Sequence, residues 1–503
     1  MLIDDIVSKI DEGGPKSYYS FETFILHLLK HHLQQQGKAL LIKTDQFYPG
    51  DAVAPDGFDE YEGPTLFDIK FNLGKASPKA WIERLFHGLL KTQPEIPFTN
   101  LIIVSAKPIP QKIREIAPSE IGWFSPNCKI HFWGPEEVNK IVNQNRAKAN
   151  EVVKNLFALR LETAVSNPTL DWRNERSKIV EKLKDSYDRG QFSLFLGAGV
   201  SSSAGMPDWN TLLNSLFVAY LTREFDGDSA ISDSDIAELV GRLNKVSEPS
   251  ALMAARYLRR GLVRNGEEAK EFVTAITKNL YELRNKKYDI DSRLLQAVSA
   301  TCMPRRTGAK VRSVVTYNFD DLLEKQLNQR NILYRCVYTE SEVYDPDELP
   351  IYHVHGFLPE NRKKYNWLEK STLVFSEEGY HHIYTNAYHW SNLVQLNCLR
   401  ENNCLMIGLS MTDPNLRRLL DISARSLEHS KHYAFMKRLT KDNFCYDSSQ
   451  SPIEPAVGNI EGAKKFLDRH HVLNEELMKE LGVTIIWYEN YDDIPEILEQ
   501  LTQ

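Results

Sequence analysis

The sequence predicts an α/β protein with two separate sheets, and three observations carry that prediction. Apolar runs of strand length recur in both halves of the chain, with helix-patterned text between them. The glycine-bearing and polar motifs fall at the ends of those runs, where an open parallel sheet binds its ligands. At 503 residues, the chain is also too long for a single ordinary core.

Taken in order, "SYYSFETFILHLLKHHL" sets Phe21, Phe24, Ile25, Leu28 and Leu29 at helical spacing, a stripe that faces a core. The runs "ALLIKTD", "TLFDIKF", "NLIIVSA" and "KIHFW" read as short strands, with "SPKAWIERLFHGLL" a helix between two of them. This describes an α/β domain over residues 1–150. A charged helical stretch then runs as a linker over 151–170, with a break at Ser166-Asn167-Pro168. From 171 to 503 the helix "DWRNERSKIVEKLKDSYDRG" stops at Gly190 and feeds the strand "FSLFLG". Further strands are "VRSVVTYN", "IYHVHG", "NCLMIGLS" and "VTIIWYEN", and the text over about 211–300 is mostly helical, an insertion. Near-continuous apolar strands separated by helices indicate a parallel sheet covered on both faces.

Composition narrows the classes. A mean hydropathy of -0.41 and a net charge of -7 suit a soluble globular protein without a global basic field. No apolar run approaches the ~20 residues of a membrane helix, and acids stand where a secretory signal carries bases. The six scattered cysteines (Cys128, Cys302, Cys336, Cys398, Cys404 and Cys445) form no C-x-x-C pair, which points to reduced thiols and a cytoplasmic setting. The neighbours His381 and His382 read as surface residues or as residues behind a site, because adjacent side chains do not converge on one ion.

Four polar motifs stand at successive strand ends. Gly197 and Gly199 allow a tight turn and a close backbone approach to an anion, but Ser202 holds the place of the third glycine of a dinucleotide fingerprint. A dehydrogenase loop is therefore absent. Asn318 and Asp320 end the second strand, His355 and Gly356 the third, and Gly408, Ser410 and Asp413 the fourth. In order, the set reads Gly197-Ala198-Gly199-Val200-Ser201, Gly205-Met206-Pro207-Asp208, Thr316-Tyr317-Asn318-Phe319-Asp320, His355-Gly356 and Gly408-Leu409-Ser410.

This order resembles the sirtuin family of NAD-consuming enzymes, and the resemblance implies a Rossmann-like sheet with a helical insertion. It further implies that Gly197, Ala198, Gly199, Ser201, Pro207 and Asp208 cradle NAD. Asp320 would lie near the nicotinamide carboxamide, Asn318 near its ribose, Gly408 and Ser410 near the adenosine half, and His355 would be the base. Two departures matter. The stretch after His355, "GFLPENRKKYNWLEKSTLVFSEEGYHHIY", holds no cysteine, so the family's four-cysteine zinc site is missing there. Trp209-Asn210 stands where deacylases have phenylalanine and arginine. Without an acyl-peptide acceptor the default acceptor is water. Domains of this type resemble NAD-depleting effectors of bacterial antiphage defence, which implies gating, oligomer formation and a separately encoded activator, an ATPase or an Argonaute-like protein. The alternatives are a DNA endonuclease with a nucleotide-sensing second domain, and a deacylase.

In the first domain, "PDGFDEYEGPTLFDIKF" sets Asp59 before a Gly63-Pro64 turn and puts Asp68 and Lys70 on one strand face. Two carboxylates and a lysine can hold a divalent cation such as Mg2+ and stabilise charge on a phosphate oxygen. With Glu22 on the preceding helix, the region resembles the restriction-endonuclease-like fold of the PD-(D/E)XK nucleases, particularly the Mrr-type branch. The resemblance implies metal ligands at Asp59 (or Asp56) and Asp68, assistance from Lys70 and Glu22, and DNA as the partner to sense, recruit or cut.

Overall fold

The computed structural model describes residues 3–11, 13–42, 50–73, 98–114, 128–166, 171–208, a few positions between 211 and 242, and 268–503 apart from 372, 375–382, 428–429 and 447–454. Most of the expected insertion, the expected helix 77–90, His381, His382, Trp209 and Asn210 lie outside the described residues. Contacts divide the chain into two compact units. The first is Met1–Lys178, Ala424–Ser430 and Thr440–Gly482; the second is Ile179–Ser423, Lys431–Leu439 and Val483–Gln503. The sequence reading assigns 171–503 to one domain, whereas 440–482 packs within the first unit. The helix Leu156–Ser166, expected in a linker, also belongs to that unit.

The first unit holds a five-stranded sheet in the order β1 (Leu41–Ile42), β2 (Ala52–Ala54), β3 (Thr65–Lys70), β4 (Asn100–Ser105), β5 (Lys129–Trp133). β1, β2 and β3 pair antiparallel, and β3, β4 and β5 pair parallel. Every residue of β4 is buried, and its middle, Leu101–Val104, is an apolar run that burial on both faces suits. The helix Gly14–Gln35 starts with Pro15 in its first turn, where a missing N–H costs nothing. Its predicted stripe is the core: Phe21 and Phe24 are fully buried, and Ile25, Leu28 and Leu29 nearly so. The helix Ile460–Glu480 packs against it and against Leu156–Ser166, whose Arg160 pairs with Glu476 at 2.9 Å and with Glu480 at 2.7 Å.

The second unit holds a seven-stranded sheet, ordered β12 (Val483–Tyr488), β11 (His432–Lys437), β10 (Asn403–Ile407), β6 (Phe192–Leu196), β7 (Val311–Thr316), β9 (Leu349–His353), β8 (Tyr334–Val337). Every pairing is parallel. This is the Rossmann-like sheet expected from the sequence. β6 is buried throughout and central, with β7, β9 and β8 on one side and β10, β11 and β12 on the other. Strand order reverses at β6 and β10, so the loops leaving them diverge and open a crevice at their carboxyl ends.

Candidate active sites

At that crevice two glycine loops meet backbone to backbone. Gly197 N donates to Ile407 O at 2.9 Å, and Gly199 N donates to Gly408 O at 2.9 Å. A β-carbon on Gly197 would stand 2.5 Å from Gly408 O, and one on Gly199 would stand 2.8 Å from Gly408 Cα. Gly408 itself has φ +70, a conformation that disfavours any side chain. Glycine is therefore required by contact at Gly197 and Gly199, and by contact and conformation at Gly408. Gly205, at φ +85, turns the chain after the short helix Ala198–Ser202. Pro207 follows, and the exposed Asp208 accepts from Thr211 N at 2.7 Å. Ala198 is exposed, Ser201 is buried, and Ser410 is exposed with its hydroxyl 2.6 Å from that of Thr412.

The β7 end supplies the amide and the acid. Asn318 Nδ2 donates to Gly197 O at 3.0 Å, tying this loop to the glycine turn. Asp320 accepts from Leu322 N at 3.1 Å and from the Ser201 hydroxyl; burial raises its carboxyl pKa, and these two donors oppose the rise. His355 is 8% exposed, and its Nε2 lies 3.9 Å from Asp413 Oδ2. The Tyr317 ring meets it edge-on at 4.7 Å, and the Tyr317 hydroxyl donates to Gln395. Burial lowers the His355 pKa and Asp413 opposes that shift, so the ring is neutral and able to accept a proton near pH 7. The sequence singles out Asp413 as a strand-end acid, yet its place opposite His355 comes only from the fold.

In the first unit, the acids gather differently from the expected set. Asp59 does not join Asp68. Its carboxylate is engaged by His32 Nε2 at 2.9 Å and Gln36 Nε2 at 2.8 Å, on a residue with φ 46. It lies beyond the Ala54–Thr65 end of the hairpin, and Thr65 to Asp68 alone spans about 10 Å of strand. Asp51, just before β2, takes the place assigned to Asp59. Its N–H donates to Phe67 O at 2.8 Å and its carboxylate accepts from Ile69 N, so the antiparallel register sets it beside Asp68. Lys70 Nζ donates to Asp68 Oδ1 at 2.9 Å. Burial pushes Asp51 up to about 6, with Lys70 opposing and Asp68 adding to the rise, and a hydrogen bond with Glu22 joins the two carboxyls. Glu22 is raised well above its ordinary value by burial and then by Asp51. The cluster is therefore Glu22, Asp51, Asp68 and Lys70. Asp68 is 2% exposed, and its Oδ2 has no hydrogen-bond partner. Among the described residues, the three-ligand group with donor atoms within 4.8 Å of one another is Glu324, Cys336 and His353, so these acids offer an orphaned oxygen but not a closed ligand set.

Comparisons with known proteins bear on the second unit. Residues 312–451 match the model of the SIR2-like domain. That span contains Thr316-x-Asn318-x-Asp320, His355-Gly356 and Gly408-x-Ser410. The chain is also similar to the NAD(+) hydrolase ThsA of Enterococcus faecium, 22% identical over 332 residues. The match covers 65% of this chain and 58% of that protein, so the chain spans less than two thirds of its relative's length. All six cysteines are free, and among the described residues no helix is long and apolar enough to cross a membrane.

Proposed function

We propose that the second unit hydrolyses NAD to nicotinamide and ADP-ribose. The observation that carries this is the crevice itself, where two glycine loops in backbone contact adjoin an amide tied to one of them and a neutral, buried histidine. The likeness to an NAD(+) hydrolase supports the same reading. In this reading the loops at Gly197–Ser201 and Gly408–Ser410 receive the dinucleotide's phosphates and adenosine half, with Pro207 and Asp208 shaping the turn. Asp320 holds the nicotinamide carboxamide and Asn318 the ribose. The C1′–N bond breaks with its electron pair going to the pyridine nitrogen, leaving an oxocarbenium-like ribose. Water attacks C1′ and His355 receives the proton released. A dry site strengthens each of these interactions.

The experiment is nicotinamide release from NAD by the full chain, alone and with DNA, oligomer-promoting concentration or candidate activator proteins. Asn318→Ala and His355→Ala should abolish release, and Asp68→Ala should keep it. NAD left intact under every condition sinks the hydrolase reading; transfer of an acyl group without free hydrolysis favours a deacylase.

A second reading rests on the orphaned Asp68 Oδ2. We infer that Glu22, Asp51 and Asp68 close on a divalent cation when one binds, in a nuclease-like first domain that binds or cuts DNA. Bound Mg2+ would polarise a phosphate oxygen, while Lys70 would balance charge on the same face. Mn2+ or Mg2+ should raise the melting temperature of the full chain and of Asp59→Asn, but not of Asp51→Asn or Asp68→Asn. A shift retained in Asp51→Asn and lost in Asp59→Asn would restore Asp59 to the site. Together the two readings describe a gated NAD-depleting effector of bacterial defence in the cytoplasm, with the first domain sensing nucleic acid.

A further inference from the structure

β9 carries a second histidine two residues before His355, and the cleavage chemistry leaves it without a role. His353 and Glu324 are each 1% exposed, on β9 and on the helix Leu322–Gln329 respectively. His353 Nε2 donates to Glu324 Oε1 at 2.7 Å. Its Nδ1 lies 3.4 Å from the backbone oxygen of Asn318. Phe357 covers the ring, with centroids 4.0 Å apart. One imidazole thus lies between two acceptors, a buried carboxylate and the main-chain oxygen of Asn318, and bridges both when each ring nitrogen carries a proton. A cavity of about 10 Å³ touches Asn318, Asp320, Glu324 and His353, so the pair lies directly under the site.

A buried carboxylate is costly unless its neighbours compensate, and an arrangement this expensive calls for a purpose. We propose that Glu324 and His353 form a positioning pair that holds the Thr316–Asp320 segment, and with it the Asn318 amide, in the geometry for nicotinamide–ribose cleavage. This rests on the NAD-hydrolysis reading. Cys336 completes a trio whose donor atoms lie within 4.8 Å of one another, a spacing that could also hold a metal ion. The pair is favoured because carboxylate and imidazole are already closed on each other. Burial and then Glu324 push Cys336 well up, so without a cation it is a thiol placed to donate to Glu324 Oε1 at 3.7 Å.

The test is a double-mutant cycle on the full chain with Glu324→Ala, His353→Ala and the two combined, and Glu324→Gln as the conservative variant. Each alanine variant should lower kcat by about 10- to 100-fold, with KM changed by less than about threefold. The double variant should lose no more than either single, because the two act as a unit. Glu324→Gln, which keeps an acceptor for His353, should recover most of the rate. Multiplicative losses, or wild-type kcat in Glu324→Ala, overturn the proposal. So does one equivalent of bound zinc in the wild-type chain that Glu324→Ala loses. A 15N-histidine spectrum reads the pair without turnover: a slowly exchanging N–H signal should vanish in His353→Ala and shift in Glu324→Gln. Its absence overturns the pair. Its presence in a chain that cleaves no NAD overturns the hydrolase reading, and the positioning role with it.

Discussion

His355 illustrates how one residue can be tuned by what surrounds it. Burial favours the neutral ring, and Asp413, 3.9 Å away, partly offsets that preference. The base works unprotonated, so its activity is present above its folded pKa and lost as pH falls through it. That pKa lies below the ordinary 6.5. Nicotinamide release should therefore stay level from neutral pH down past 6.5 and fall only in more acid buffer. In Asp413→Asn the fall should begin further still to the acid side, since the opposing charge is gone. An acid limb above 6.5 would contradict the assignment. His432 makes the corresponding argument for stability. It is 1% exposed, burial holds it down to about 3, and its Nδ1 takes the Cys404 N–H. The unfolded chain binds a proton there below 6.5 and the folded chain does not, so stability is complete above 6.5 and declines as pH drops toward 3. Urea midpoints compared between about pH 7 and about pH 5 should differ less in His432→Asn than in the wild type.

At the scale of elements, the two glycine loops are the sensitive contact. Gly199→Ala drives a β-carbon into the Gly408 backbone, and neither side can retreat by rotating a side chain. The variant should lose roughly 1–3 kcal/mol of stability and all NAD turnover, read by melting and nicotinamide release. Gly458→Ala, with nothing within 4 Å and no positive φ, should leave both unchanged. The elements also explain what was legible in the sequence. β4, β6, β7 and β10 read as apolar runs because parallel, interior strands bury both faces, and β3, antiparallel to β2 and parallel to β4, is interior and buried up to Ile69. β2 escapes because it has three residues, β8 because an edge strand carries "YRCV", and β11 because His432, Tyr433 and Lys437 dilute its pattern. The crevice motifs were legible because each follows its strand directly. Asp51 was not, since no spacing ties it to Asp68; the β2–β3 register does. Glu324 and His353 were invisible for the same reason, their partnership arising from a helix packing under a strand.

At the scale of the molecule, the chain is interlaced. The helix Ile460–Glu480 lies in sequence between β11 and β12 of one sheet and buries Leu467 and Met478 within the other unit. A chain limited to residues 179–503 would strip that helix of the Gly14–Gln35 and Leu156–Ser166 surfaces it packs on. It should aggregate or melt well below the full chain in a scanning fluorescence assay. A soluble, equally stable fragment would show that 440–482 does not depend on the first unit.

Such interlacing also changes what a cut backbone means. Break the chain once in the Arg305–Gly308 turn, and each fragment still supplies part of both units. The pieces would travel together through a native column and separate only in denaturant, like two halves stitched across a double seam.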